Sequence, residues 1–558
     1  MVMNNLKESR KMKNTMRYFG MAALVVAMAT MTGCMKEDIE ENGIIGDVTF
    51  TANVKLDTGN GSKQLGANGV KTFAEGEQIA VVYTNTNGQT VKATSVALQD
   101  GDITNNGKSA SFTVTLTDPK TGTVRYVYPA SMVNESGVET SIANQNGILD
   151  SLSKLYDYAS GEGSFTGSSL PNVTLTNQFA IGKITMKDFA GSSELSGITG
   201  VTVTDGTNTY TITPATTPMT WSIYVAMKPV SSQTITVTAT GSTYSYTKTV
   251  TDKTLTAGNM YTLTVKMSRI VDLASVGGNF TAQDGDILTG TMASAHQISI
   301  AAGATVTLDN VSINADGAWT GMSNDGIQCG NSSNITINLV GTNTVRGENY
   351  HAGIFVPSTS TLTIQGSGTL NAIGGSPASG AGIGGQYASY CGNIIIAGGT
   401  INATGGSSAA GIGTGYCNKY ARTCGYITIS GGTVNATGGA GAVGIGSTDN
   451  CSCGIITISG GTVTATGGSS SAGIGSGNKA SCDGITINGG TVTATGGTWG
   501  AGIGSGANGA SCGDINITSG VISVTATRGS SAPNSIGAGN GGTCGTVTIA
   551  DGANVTQN

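Results

Sequence analysis

A repeat of about 30 residues runs through the C-terminal part of this chain and limits its fold more than any other feature. Each copy begins with a cysteine and an alternating apolar strand, and contains three short extended segments separated by Gly-rich turns. The cysteines that begin the copies are 33, 29, 29, 30 and 32 residues apart: Cys391, Cys424, Cys453, Cys482, Cys512 and Cys544. Three extended segments per copy are typical of one coil of a parallel β-helix, in which a coil buries its apolar face only against the next coil. We therefore predict a right-handed parallel β-helix solenoid over residues 269–558.

The alternation inside each copy predicts which side chains fill the solenoid. Successive side chains of a strand point to opposite faces, and stacked coils lie ~4.8 Å apart, so equivalent positions form columns. The predicted interior positions of three consecutive copies are Ile427, Ile429, Val434, Ala436 and Ile445, then Ile456, Ile458, Val463, Ala465 and Ile474, then Ile485, Ile487, Val492, Ala494 and Ile503. Glycine, with 88 residues, follows no three-residue period, which excludes collagen. It supplies the corners in which a side chain would clash.

Residues 45–268 alternate by twos, and no segment shows sustained helical spacing. The segment 201–213, VTVTDGTNTYTIT, is typical of two strands joined by an Asp205-Gly206 turn. Short strands with frequent turn signals favour antiparallel β-sandwiches. The length suits two of them, which we place at 45–172 and 173–268. The predicted fold class is therefore all-β: two β-sandwiches followed by the solenoid.

Four phrases in this stretch resemble the fimbrillin-like family of surface lipoproteins and pilus subunits. They are FAEGEQIAVVY (73–83), VRYVYPAS (124–131), LTNQFAIGKITMKD (175–188) and LTAGNMYTLTVKM (255–267). The resemblance implies transthyretin-like β-sandwiches, and the C-terminal half resembles the Gly/Thr-rich repeats that follow such domains. Family members that polymerise lose their first strand after cleavage at a basic residue. Between Cys34 and Leu65 only Lys36, Lys55 and Lys63 are basic, which favours an anchored subunit or a pilus tip.

Residues 1–33 are typical of a lipoprotein signal peptide. A basic segment precedes an apolar stretch from Phe19 to Met31, which is short for a membrane span. The stretch ends in Met31-Thr32-Gly33-Cys34, which resembles a lipobox. The resemblance implies that Cys34 carries the lipid and anchors the chain in the outer membrane. The alternative is an ordinary secretory peptide.

The tether that follows, residues 34–44, carries Lys36-Glu37-Asp38 directly after the cysteine. These residues resemble the surface-export signal of lipoproteins from Gram-negative anaerobes, and the alternative is a solvated linker. We predict that the protein is lipid-anchored in the outer membrane and faces outward.

Charge is scarce along the whole chain, which excludes several functions. Charged residues are 10% of the chain, the net charge is −6, and no basic block lies beyond the N-terminus, so we expect no nucleic-acid partner. The histidines are His296 and His351, and no two acids share a strand of the regular repeats, so acid–base catalysis lacks its groups. Asp284 and Asp286 form the best carboxylate pair, and a turn explains them better. We expect no enzyme, no cofactor and no metal.

The repeat cysteines share one corner of the predicted solenoid, at a spacing that permits disulfides between neighbouring coils. We favour a column of small, partly buried thiols over disulfides, because parallel Cβ atoms are slightly far apart for an unstrained bond. Cys417 and Cys451 lie in loops and can pair with Cys424 or with a stacked neighbour.

Aromatic residues in two stacked loops provide the predicted binding site. The site residues are Tyr387, Tyr390, Tyr416, Lys419, Tyr420 and Arg422. Exposed rings with a few polar donors suit the flat apolar faces of sugars. The alternative is that the rings only order the long loops. We predict a surface adhesin that binds glycans or a host surface, with pilus subunits as further partners. The alternatives are a structural pilus or surface spacer without a ligand and, third, a polysaccharide lyase or hydrolase.

Overall fold

The computed structural model describes residues 43–57, 72–214, 222–292, 296–314, 324–376 and 379–558. The predicted signal peptide, Cys34 and the export signal at 36–38 lie outside the described residues. The described residues divide into two compact units: those up to Met186, with Ser196–Ala239 and Thr249–Val265, form the first, and those of Lys187–Leu195, Thr240–Lys248 and Lys266–Asn558 form the second. No helix in the described part of the chain is long and apolar enough to cross a membrane.

The first unit begins with an eight-stranded sheet that folds over on itself. Its strands, in spatial order, are Thr90–Thr94, Ala80–Thr84, Gly122–Tyr128, Ala159–Phe165, Val173–Asn177, Asp47–Leu56, Ser109–Thr117 and Ile103–Thr104. The apolar faces of the two halves share one core, in which Phe112 and Tyr126 meet edge to face with ring centroids 5.3 Å apart. The strand Val173–Asn177 pairs with Asp47–Leu56 and places Val173 and Leu175 in this core, although the predicted boundary assigns it to the second sandwich.

A second group of strands follows, and most of its residues belong to the same unit. One sheet has the order Ser222–Met227, Ala180–Lys187, Met260–Lys266; the other contains Ile198–Thr204, Thr209–Ile212, Val230–Gly241 and Ser245–Leu255, and Asn144–Gln145 pairs with Thr209–Ile212. The predicted hairpin at 201–213 is confirmed, with Val201 paired to Ile212 and Thr204 to Thr209. The described helical segments are Leu149–Leu155 and the 3-10 turns Asp100–Asp102, Ala130–Met132 and Leu273–Ser275.

The second unit is a parallel β-solenoid whose coils form three ladders of strands, named A, B and C here. Ladder A contains Asn334–Val340, Thr361–Gly366, Asn393–Ile396, Ile427–Ile429, Ile456–Ile458, Ser481–Ile487, Ser511–Ile517 and Val547–Ile549. Ladder B contains Thr342–Arg346, Thr369–Ile373, Thr400–Thr404, Thr433–Thr437, Thr462–Thr466, Thr491–Thr495, Ser523–Thr527 and Val555–Gln557. Ladder C contains Phe280–Ala282, Ile298–Ile300, Ile327–Cys329, Ile354–Phe355, Ile383–Gly384, Ile412–Gly413, Ile445–Ser447, Ile474–Ser476, Ile503–Gly504 and Ile536–Gly537.

Three further strands begin the stack, and a set of short strands lies between ladders C and A. Ser268–Asp272 pairs in parallel with Ile287–Met292, and Ile287–Met292 pairs with Thr305–Ile313. Thr305–Ile313 pairs with the first strand of ladder A and, further along, with the first strand of ladder B. The short strands that carry the repeat cysteines are Thr423–Cys424, Ser452–Cys453 and Thr543–Cys544, in register with the first residues of Ser481–Ile487 and Ser511–Ile517.

Every predicted interior position is buried, so the predicted all-β fold and its solenoid are confirmed. Ile427, Ile456 and Ile485 follow one another in register, and each is fully buried. The neighbours of each strand are equivalent residues one coil away, and antiparallel hairpins between these segments are excluded. Since no coil covers its own apolar face, the stability of the unit comes from the stack.

A column of glycines in ladder C shows why the repeat needs this residue. Gly384, Gly413, Gly446, Gly475, Gly504 and Gly537 all have φ between 124° and 135°. A Cβ on Gly475 would lie 1.9 Å from the carbonyl oxygen of Gly504 in the next coil. Neither the backbone angle nor the available space admits a side chain there.

An ion pair closes the N-terminal end of the solenoid. The Arg269 guanidinium donates from Nε and from a terminal nitrogen to the two carboxylate oxygens of Asp286, at 2.8 and 2.5 Å. The guanidinium stacks on the rings of Tyr244 and Phe280, 4.6 and 5.6 Å from their centroids. Hydrogen bonding to Asp286 raises the pKa of Arg269. Asp286 therefore has a structural role here, and Asp284 accepts from the backbone N–H of Thr305 at 2.8 Å.

We expect Gly475→Ala to destabilise the protein by about 2 kcal/mol or more, because the alanine would be strained in φ and would push Gly504 away. Gly441→Ala is the matched control, since a Cβ there meets no atom within 4 Å. It should change the free energy of unfolding by less than about 0.5 kcal/mol. Urea unfolding of the two variants, followed by circular dichroism, measures both; equal stabilities would contradict the glycine column.

Candidate functional site

The six predicted binding residues lie in two stacked loops between ladder C and the cysteine corner. One loop follows Ile383–Gly384 and carries Tyr387 and Tyr390, and the other follows Ile412–Gly413. The loops are joined by a hydrogen bond from the Ala388 N–H to the Tyr416 carbonyl, 2.8 Å long. The structure thus brings all six residues together on one side of the solenoid.

A row of three tyrosine rings, the tyrosine row, crosses three coils. The ring of Tyr387 meets Tyr350 edge to face at 5.2 Å and Tyr416 at 5.9 Å, measured between centroids. Tyr350 is absent from the predicted site, because the two tyrosines hold different positions in the repeat. Tyr350 precedes the ladder C strand Ile354–Phe355, whereas Tyr387 follows the ladder C strand Ile383–Gly384. A backbone hydrogen bond from Tyr387 N–H to Tyr350 C=O, 2.8 Å long, holds the two segments together. Sequence position within the repeat carries no signal for this contact.

An arginine cluster lies beside the tyrosine row and consists of Tyr390, Lys419, Tyr420 and Arg422. The Arg422 guanidinium carbon is 4.7 Å from the ring centroid of Tyr390 and 5.7 Å from that of Tyr420. Arg422 Nε donates to the carbonyl of Ala388 at 2.9 Å, which fixes the guanidinium plane. The two rings are 47% and 49% exposed, so this cluster offers aromatic faces and cations to solvent together.

Covalent and polar links hold the longer loop in place. The Cys417–Cys451 disulfide ties it to the next coil, so the predicted pairing with a stacked neighbour is the one observed. The side-chain amide of Asn418 donates to the Tyr387 hydroxyl at 3.1 Å. The backbone carbonyl of Asn418 accepts from the side-chain amide of Asn450 at 2.8 Å. The rings therefore stand on an ordered backbone.

The prediction that the cysteine column consists of free thiols is wrong for the first two cysteines of the column. Cys391 and Cys424 form a disulfide with their Cα atoms 4.3 Å apart, because the parallel bridge between their coils places them side by side. Cys453, Cys482, Cys512 and Cys544 are free thiols, as expected.

A buried carboxylate lies close to the tyrosine row in the stack. Asp325 stands two residues before Ile327 in ladder C, and the next six coils have alanine or valine at that position: Ala352, Ala381, Ala410, Val443, Ala472 and Ala501. It is 1% exposed. The repeated Ala-Gly-Ile phrase reads Asp-Gly-Ile here, a signal that sequence analysis passed over.

Asp325 connects residues from three coils. Its carboxylate accepts from the backbone N–H of Ala352 at 2.9 Å and from the Gln386 amide, and it lies 3.3 Å from Nδ1 of His351. Burial raises the pKa of Asp325, and the nearby His351 imidazole and the hydrogen bond from the Ala352 N–H oppose this. The carboxylate thus fixes His351 and Gln386, the residues adjacent in sequence to Tyr350 and Tyr387.

The site offers ring faces, two cations and amide donors, and it suits binding better than acid–base chemistry. Among the described residues, no three His, Cys, Asp or Glu side chains converge in a way that could hold a metal ion.

Comparisons with known proteins give one family match and several structural likenesses. The family model of a beta helix repeat matches residues 362–386, 394–416, 427–449, 456–478 and 485–507. No curated protein matches this chain. Of the candidate site, Tyr416 lies inside a matched segment, and Tyr350 lies before the first one. The other site residues lie in the loops between matched segments: Tyr387, Tyr390, Lys419, Tyr420 and Arg422.

Solved structures with similarity to the chain include fimbrial and adhesion proteins. A fimbrial assembly protein from Parabacteroides distasonis has a TM-score of 0.24 and 10% identity, over 40% of this chain and 96% of that one. A candidate cell adhesion protein from Bacteroides ovatus has a TM-score of 0.25 and 9% identity, over 40% of this chain and 95% of that one. Another, from Bacteroides uniformis, has a TM-score of 0.23 and 14% identity, over 40% and 96%.

The burial of Asp325 predicts a dependence of stability on pH. Below the ordinary aspartate pKa of about 3.9, Asp325 is protonated in both the folded and the unfolded chain. Because its pKa is higher in the folded chain, the stability that the neutral carboxyl contributes is lost as pH rises through that raised pKa. The loss is about 1.4 kcal/mol for each unit by which the folded and unfolded pKa values differ. We expect Asp325→Asn, which stays neutral, to gain stability over the wild type as pH rises. Urea unfolding at pH 4, 6 and 8 tests this; Asp483→Asn, an exposed aspartate, is the control. Parallel profiles for wild type and Asp325→Asn would contradict the prediction.

Proposed function

We propose that this protein is a cell-surface adhesin whose solenoid binds glycans through the tyrosine row and the arginine cluster. The observation that carries the proposal is the exposure of Tyr390 and Tyr420 on either side of Arg422, beside three further rings in contact. The proposed location is the outer membrane, with a lipid on Cys34 and the solenoid facing outward.

The chemistry of the cluster favours saccharides over other ligands. Sugar rings present apolar C–H faces that stack on aromatic side chains, while their hydroxyls need donors and acceptors at the rim. Arg422 and Lys419 supply donors next to exposed rings, and the surrounding repeats carry few charges. A flat, nearly uncharged surface with a localised aromatic and cationic cluster gives a nucleic acid little to bind.

The rings stand on a rigid support, which lowers the cost of binding. The loop that carries Tyr416 and Tyr420 is held by the Cys417–Cys451 disulfide, and Arg422 is fixed by its bond to Ala388. Little conformational freedom remains to be lost when a ligand is bound, and preorganisation of this kind raises affinity.

A structural spacer without its own ligand is the second candidate. The rings of the tyrosine row touch one another, and Arg422 bonds to the backbone, so the same contacts also order the loops. A polysaccharide lyase or hydrolase is the third candidate function. It ranks last because Asp286 is bound to Arg269 and Asp284 to the backbone of Thr305, so that both carboxylates hold the fold together. Membership of a pilus, as tip or stalk, is compatible with the first two candidates.

Removing the exposed rings separates the first two candidates. We expect the double variant Tyr390→Ala, Tyr420→Ala to weaken glycan binding at least tenfold, or about 1.4 kcal/mol, because the stacking faces are lost. Trp499→Ala is the matched control: this ring is 43% exposed but lies in the loop between ladders B and C. Ligands come from an array of neutral and acidic glycans probed with the purified protein, and affinities from calorimetry. Absence of any glycan ligand would favour the spacer, and equal losses in both variants would argue against this site.

The lipid anchor is tested independently of the ligand. We expect Cys34→Ser to abolish labelling with a palmitate analogue and to release the protein from the membrane fraction, since the thiol is the acylation site of a lipobox. Replacing Lys36, Glu37 and Asp38 by alanine is the companion variant. It should keep the lipid and lose accessibility to protease added to intact cells. A Cys34→Ser protein that is still labelled would refute the anchor.

A further inference from the structure

The cysteine column holds six thiol positions in a single line, and this line decides which pairs can form. The strands place neighbouring cysteines side by side in register: Cys424 with Cys453, Cys453 with Cys482, Cys482 with Cys512 and Cys512 with Cys544. An isolated backbone β-bridge pairs Cys391 with Cys424 in the same way. Each cysteine therefore has no column neighbours other than those in the coils directly above and below it. A cysteine that forms a disulfide with one neighbour cannot form one with the other.

One pair of this column is already oxidised. The Cys391–Cys424 disulfide shows that two cysteines in register in this column can be bridged. It removes Cys424 as a partner for Cys453. Four thiols remain, and a single arrangement of neighbouring pairs uses all of them.

The four thiols lie in register in the order that this arrangement needs. Cys453 is paired in register with Cys482, Cys482 with Cys512, and Cys512 with Cys544. Cys453, Cys482 and Cys512 are buried, and Cys544 is partly exposed in the last coil. Cys329, the fifth free cysteine among the described residues, lies in ladder C and outside the column.

We propose that the cysteine column is closed by disulfides in alternate pairs, with Cys453–Cys482 and Cys512–Cys544 formed in addition to Cys391–Cys424. Each pair is a site of oxidative modification by a disulfide-bearing oxidant, such as a dithiol oxidase. One thiolate attacks the oxidant disulfide and releases one of its thiols, and the neighbouring thiolate attacks the mixed disulfide and releases the second. Two protons leave the pair, and the two electrons reduce the oxidant to a dithiol.

The consequence is a solenoid whose coils are joined two by two. The junctions between Cys424 and Cys453 and between Cys482 and Cys512 keep hydrogen bonds and packing alone. Because the interior thiols are buried in the finished stack, oxidation belongs to the folding of the chain, before the coils close over them. This inference is independent of the proposed glycan site.

The scarcity of basic residues gives a direct test. Trypsin cleaves after Arg346, Lys419, Arg422, Lys479 and Arg528, and the segment 480–528 contains both Cys482 and Cys512 with no internal site. The full chain, exported through an oxidising compartment, is denatured in excess alkylating reagent and digested without reduction, and the peptides are identified by mass spectrometry. With the proposed pairing, peptides 347–419, 423–479, 480–528 and 529–558 stay linked in one species, which reduction separates.

The alternatives give different peptides. A Cys482–Cys512 disulfide lies inside 480–528 and frees 529–558 with an alkylated Cys544, which would overturn the proposal. Alkylation of all four thiols would overturn it equally. We expect Cys482→Ser to separate 423–479 from 480–528, to leave 480–528 joined to 529–558 and to add one alkylated site at Cys453. Cys329→Ser is the matched control and should leave the linkage unchanged.

Discussion

The stacking of equivalent backbone positions, one coil upon the next and in register, is the constraint on which the rest of this structure depends. Each coil finds its hydrogen-bond partners and its apolar neighbours in the adjacent coils, so a residue type that suits one coil must suit the whole column. Isoleucine fills the interior at Ile427, Ile456 and Ile485, and glycine fills the positions where backbones approach, as at Gly475. The long run of nearly identical units follows from this requirement.

Departures from the repeat are where this unit acquires its individual features. Asp325 stands where the next six coils have alanine or valine, and it lies against His351 and Gln386. At the first coils Arg269 and Asp286 form an ion pair covered by aromatic rings. A buried charge requires partners, so each exception to the pattern is accompanied by a specific set of hydrogen bonds.

Differences in loop length turn the stack into a candidate binding surface. The segment between ladder C and the cysteine corner is long after Ile412–Gly413 and short after Ile445–Ser447. The long loop has room for Tyr416, Tyr420 and Arg422, and the stack brings them against the loop of the preceding coil. A disulfide between coils then fixes a loop that the strands alone would leave loosely held.

The sequence by itself determined the solenoid, its interior and the two loops of the candidate site. Strand alternation and a fixed period are local properties, so the burial of Ile458 or Val463 follows from position in the repeat. Tertiary structure alone decided that Tyr350 joins Tyr387 and that Asp325 meets Gln386. These contacts join different positions of different coils. They depend on how loops fold across the stack, which no spacing along the chain encodes.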